Sequence, residues 1–215
     1  MKIFTARSAS VGAVALMAAL STVGAQQETP VLAIRDLATR NVVMEQLSIA
    51  KEHGVPREPL MAKALEGVAK NANASKIREV MDGLQKRLRK AGDLLAPSPT
   101  VDELSAGADA LSVGVPEKIL KQMRQAAPRR SIAVELGVLT ELVARNVPAA
   151  KASKLILELM ARGATGAQLT AMNSAVQNDV AAGLTPEAAL DRHGNGIMSL
   201  LPPPPAVSGG NVRPR

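Results

Sequence analysis

Two histidines, a pair of carboxylates in matching surroundings and a dense run of cations are the side chains of this 215-residue sequence that could do chemistry. His53 and His193 each precede a glycine, and neither stands in a metal-binding spacing such as His-Glu-x-x-His. Asp191 with His193 would make an orienting acid and a general base. The spacing favours a plainer role, in which each histidine closes a helix and meets its exposed carbonyls. Glu141 and Glu158 occupy equivalent places in a 17-residue echo. Two acids on neighbouring helices could act as the acid and base of a wall-polymer hydrolase. Both lie beside an apolar stripe and not within it, so solvated helix flanks account for them.

The densest basic run is Lys86, Arg87, Arg89 and Lys90, and Arg124, Arg129 and Arg130 form a second. If Leu84 and Leu88 face a core, Lys86, Arg89 and Lys90 point away from it. That leaves a solvated face near a helix C-terminus or a contact for an anionic polymer or lipid surface. Met61, Met81, Met123, Met160 and Met172 fall on apolar stripes. They either fill a core or line a groove for varied helical partners, as in a chaperone-like binder.

Absences narrow the chemistry further. The chain has no Cys, Trp or Tyr, and Phe4 is its only aromatic residue. Disulfides, thiolate metal sites and thiol catalysis are excluded, and no ring remains for stacking bases or sugars. The motif for a dinucleotide or phosphate loop is missing as well, since Gly-x-Gly occurs only at Gly194-Asn195-Gly196 with no strand before it. No cofactor is expected, and nucleic acid is disfavoured as a partner.

The elements that must position these groups are helices. Apolar residues recur every three or four positions, most clearly at Ile77, Val80, Met81, Leu84 and Leu88, and no strand alternation competes. Gly54-Val55-Pro56, Gly114-Val115-Pro116, Asn146-Val147-Pro148, Gly163-Ala164-Thr165 and Gly183-Leu184-Thr185-Pro186 fall between the apolar periods. In each, a residue suited to the left-handed conformation is followed by a helix start. Thr165 and Thr185 read as N-caps, and Thr100 with Glu103 as a capping box. The expected helices are 31–52, 56–70, 75–91, 100–112, 116–127, 131–145, 148–162, 165–182 and a short one from 186. The fold class is therefore all-α, an array or bundle of eight to nine short amphipathic helices in antiparallel hairpins. The echo of 138–146 at 155–163 raises an internal duplication.

Four segments organise the chain. Residues 1–25 read as a cleaved secretory signal, with Lys2 and Arg7, an apolar run from Val11 to Leu20, and Val23-Gly24-Ala25 before the cut. A linker at 26–30 leads to a helical domain at 31–192, with a hinge at 92–99 around Pro97 and Pro99. Residues 193–215 read as a disordered tail, with Pro202, Pro203, Pro204 and Pro205 as a partner-docking or spacer segment. No later segment is apolar for the roughly 20 residues that a membrane span needs. The chain carries +7 in all, and +5 once Lys2 and Arg7 leave with the signal. These features predict a periplasmic or secreted, non-catalytic interaction or structural module of the cell envelope. Its expected partner is a protein or an anionic envelope polymer. A wall-polymer hydrolase and a periplasmic chaperone-like binder are the alternatives.

Overall fold

The computed structural model describes residues 29–203, which are helical apart from their connections. Along the chain these are α1 (Thr29–Leu32), α2 (Leu37–Glu52), α3 (Arg57–Ala69), α4 (Ala74–Leu95) and α5 (Val101–Ser112). They are followed by α6 (Glu117–Ala126), α7 (Ala133–Ala144), α8 (Ala149–Ala161), α9 (Gly166–Ala181) and α10 (Pro186–Leu200). The expected signal, most of the linker, and 204–215 of the tail lie outside the described residues.

One connector explains why the helices stop where they do. At the end of α2, Gly54 takes φ +64°. Its N–H donates to the Lys51 carbonyl, and the next N–H, of Val55, reaches back to Ala50 at 2.8 Å. These paired bonds form a Schellman cap, which satisfies carbonyls that the helix leaves open. The same pair recurs at Asn71, Gly114, Asn146, Gly163 and Gly183, all with positive φ. At four of the six the following residue, Val55, Val115, Val147 or Ala164, is buried, so the cap also anchors the connection in the core. Pro56, Pro116 and Pro148 then open three helices, while Asn73, Thr165 and Thr185 cap three others through side-chain oxygens. The Thr100–Glu103 capping box is present.

Three boundaries differ from the sequence expectation. The single helix at 31–52 is broken after Leu32, because buried Ile34 turns inward and Asp36 caps α2 by accepting the Thr39 N–H at 2.7 Å. Arg40 holds this corner by donating to the Ile34 carbonyl from Nε and Nη2. Residues 92–95, expected to open a hinge, are instead the last turn of α4, where buried Leu94 and Leu95 continue its stripe. Residues 193–200, expected to open the tail, are instead helical, since α10 runs on to Leu200. Gly194 does not terminate this helix but lets it close on α8, where an added Cβ would stand 2.7 Å from Leu155 Cδ2.

Burial divides the core in two, and the division falls inside α4 and not at 92–99. Ile77, Met81, Leu84 and Leu88 join α1, α2 and α3 in an N-terminal cluster. Ala91, Leu94 and Leu95 join the C-terminal cluster of α5 to α10. α4 and α5 pack closely along this division, with Gly107 against Ala91 and Leu95. From α4 onward the contacts follow two files: α4, α6, α8 and α10 lie against one another in that order, as do α5, α7 and α9. Contacts of α4 with α5, α7 with α8, and α9 with α10 join the files.

Candidate functional site

Charge is sorted between the two files. α4, α6, α8 and α10 together carry twelve Lys and Arg against seven Asp and Glu, and eleven of those cations lie on α4, α6 and α8. α5, α7 and α9 carry six Asp and Glu and no Lys or Arg at all.

Most acids of the second file are consumed by the fold. Glu103 is 2% exposed. Its Oε1 accepts from Arg124 of α6 and from the Ile132 N–H at 3.0 Å, and its Oε2 from Thr100 N–H at 2.9 Å. Burial works against its ionisation, but the Thr100 and Ile132 amides and the Arg124 guanidinium outweigh it and hold the carboxyl below its usual range. Arg124 also donates to the carbonyls of Ala127 and Arg130, so one ion pair ties α5, α6 and the loop into α7. Buried Glu135 pairs with Arg130. Glu141 accepts from Asn173 and Gln177 of α9, at 2.5 and 2.7 Å. Asp179 accepts from Arg192 at 3.2 Å and lies 2.9 Å from His193 Nε2.

The first file leaves cations over. Lys90 bridges to Glu117 at 3.0 Å, which fastens the basic run of α4 to the start of α6. Lys151 of α8 bridges to Asp191 of α10 at 2.8 Å, and that carboxylate draws the ammonium above its ordinary pKa. Arg87 is half-buried and folds back over Gly83, its Nη1 3.3 Å from where a Cβ would stand. Lys86 and Arg89 are exposed, and pair with no group among the described residues. Lys118, Lys121 and Lys154 are in the same condition. α6 buries Ile119, Leu120 and Met123, and α8 buries Ala152, Ile156 and Leu159, all in the C-terminal cluster. The lysines opposite those stripes therefore share one outer face with Lys86 and Arg89. Asp82 and Asp93 are the acids of α4 nearest these cations in helical spacing.

The remaining sequence candidates separate. His53 is the C-cap of α2, as expected. His193 is not at a helix end but inside α10, and it faces Asp179 instead of Asp191, which is held by Lys151. Glu141 and Glu158 are not drawn to a shared partner, since Glu158 pairs with Arg162 at 3.0 Å. Arg124 and Arg130 belong to the internal network, leaving Arg129 exposed. Met81, Met123, Met160 and Met172 are buried, so they fill the cores and line no open groove, while Met61 is half-buried. Pro202 and Pro203 are exposed, and Pro204 and Pro205 lie outside the described residues.

A cleft of about 740 Å³ between the α1–α2 and α3–α4 connections is lined by Arg35, Asp36, Thr39, Asn71 and Asn73. Its Asp36 and Asn73 oxygens are engaged as helix caps. Among the described residues no group of three or more His, Asp or Glu could hold a metal ion, and no helix is long and apolar enough to cross a membrane. No protein-family model matches the chain, and no curated protein or solved structure is significantly similar to it.

Sequence reasoning found Lys86 and Arg89 because they are close in the chain. It missed Lys118, Lys121 and Lys154, which join them only through the side-by-side packing of α4, α6 and α8. Counting charges helix by helix would have found the sorting, because three alternate helices have no cation.

Proposed function

We propose that this chain is an exported, non-catalytic interaction module of the cell envelope that binds through the outer face of α4, α6 and α8. One observation carries the proposal: of the two files only one leaves exposed cations without partners among the described residues, five of them on α4, α6 and α8, while four of the six acids of the other are engaged inside the fold. A rigid helical array presents such charges at fixed positions, which favours encounter with an anionic partner. Export through residues 1–25 and a spacer or ligand role for Pro202 to Pro205 belong to the same proposal. So do antiparallel hairpins and an old duplication, which the connector recurring at six helix ends supports.

The test is fractionation of cells expressing the full chain. The expected product begins at Gln26 by intact mass and is retained with the envelope at low ionic strength. Lys86→Glu with Lys118→Glu and Lys121→Glu should release it into the soluble fraction. Full-length chain in the cytosol, or unchanged retention of the triple variant, contradicts the proposal.

A further inference from the structure

We infer that the partner of this face is the surface of an anionic lipid bilayer, held by peripheral electrostatic contact without insertion. The inference rests on the proposed interaction face and specifies what meets it. Three observations select lipid over a soluble polyanion.

The first is shape. Lys86, Arg89, Lys118, Lys121 and Lys154 come from three helices lying side by side, and packed helices stand roughly 8–10 Å apart. Along one helix, neighbouring turns add about 5.4 Å. The cations are thus spread in two dimensions, matching a sheet of headgroups better than a single polymer strand, which is better served by a linear track or groove. The second is the absence of aromatic side chains beyond Phe4, which leaves nothing to stack on sugar rings or bases. The third is the chemistry of the cations, four lysines and one arginine. Lysine is a strongly hydrated point charge suited to diffuse attraction, whereas planar forked recognition of individual phosphates calls for arginine. Insertion is not part of the contact: the large apolar residues exposed among the described residues are Leu32, Leu37, Met44, Leu65, Val101, Val134 and Leu200, and none lies on α4, α6 or α8.

The other obvious occupant, the acidic file of a second copy, fits less well. Glu103 and Glu135 are buried in ion pairs, and Glu141 and Asp179 are hydrogen-bonded within their own chain. That leaves only Asp102 and Asp109 of α5 exposed without a partner among the described residues, two carboxylates on one helix against five cations from three.

The experiment is co-sedimentation of the purified chain, without residues 1–25, with two kinds of vesicle. One contains phosphatidylglycerol in phosphatidylcholine, the other phosphatidylcholine alone, and inorganic polyphosphate serves as a soluble polyanion. Two triple variants of equal net charge are compared: Lys86→Glu/Lys118→Glu/Lys121→Glu on the face, and Arg35→Glu/Lys51→Glu/Arg145→Glu away from it. Circular dichroism verifies that both fold, since all six side chains are exposed. The expected result is binding to the phosphatidylglycerol vesicles only, reversed by salt. A cation near an anionic surface contributes about fivefold in affinity, so the face variant should lose about a hundredfold or more, and the control much less. Equal loss in both variants overturns the inference, because net charge alone would then suffice. So does binding of polyphosphate but not vesicles, which makes the partner a polymer. If the vesicles are ignored while the face variant still leaves the envelope fraction, the lipid assignment falls and the interaction face stands. If neither responds to the face variant, both fall.

Discussion

The two files of helices bury similar apolar stripes and use charge in opposite ways. In α5, α7 and α9 four of the six acids bind other parts of the chain: Glu103 gathers Arg124 and two backbone amides, Glu141 reaches Asn173 and Gln177, and Glu135 and Asp179 are paired as well. In α4, α6 and α8 the fold uses Arg124, Lys90 and Lys151 but leaves Lys86, Arg89, Lys118, Lys121 and Lys154 in solvent. Charge on α5, α7 and α9 is therefore mainly structural, whereas α4, α6 and α8 leave five exposed cations without a partner among the described residues. Removing one should cost stability, whereas removing the other should cost only binding.

The largest effect is expected at Glu103. Glu103→Ala leaves the largely buried Arg124 guanidinium and the Ile132 N–H without their acceptor, and losing one partner of a buried pair costs about 3–5 kcal/mol. Chemical denaturation should show this as a lower midpoint. A shift below about 1 kcal/mol would erase the contrast between the files.

The same carboxylate gives the contrast a pH signature. Its folded pKa lies below the unfolded value, so its stabilisation is complete above about pH 4.3 and is lost as pH falls through the folded pKa. Melting temperature against pH should decline on this acid limb. In Glu103→Gln, which has no proton to take up there, the limb should be shallower. An identical limb in the variant would assign acid sensitivity to other groups.

A smaller effect is expected where the files meet. Gly107→Ala places a Cβ 3.0 Å from both Ala91 Cβ and Leu95 Cδ1, and the alanine cannot rotate away. Overpacking of this kind costs about 1–3 kcal/mol, offset by the roughly 1 kcal/mol that alanine gains over glycine inside a helix. A net loss near 1 kcal/mol is expected in thermal melts, and a stabilised variant would mean that α4 and α5 can separate freely. The smallest effect belongs to the basic face. Lys86→Ala should change stability by less than about 0.5 kcal/mol, as exposed sites without partners do, and a cost above 1 kcal/mol would make Lys86 structural.

How much of this was legible in the sequence follows from how local each feature is. The all-α class and most helix ends were readable because a left-handed residue, an apolar anchor and a capping Pro or Thr lie within four positions, as in Gly163-Ala164-Thr165. The ends that were misread turn on packing between distant residues. Gly194 looks like a stop until Leu155 is seen against it, and Gly92 looks like a hinge until Leu94 and Leu95 are buried. Thr100 and Glu103 were readable as a capping box, but nothing in their spacing shows that Arg124, 21 positions on, closes over the same carboxylate. The basic face was half legible for the same reason, since Lys86 and Arg89 are close in the chain while Lys154 comes to their side only because α6 packs between α4 and α8.

The most direct test is a lysine-acylation footprint of the chain with and without phosphatidylglycerol-containing vesicles, read residue by residue by mass spectrometry. The account predicts that Lys86, Lys118, Lys121 and Lys154 lose reactivity on the vesicles while Lys51, Lys63 and Lys70, outside the face, keep theirs. Even protection across all seven, or protection confined to Lys51, Lys63 and Lys70, would contradict it.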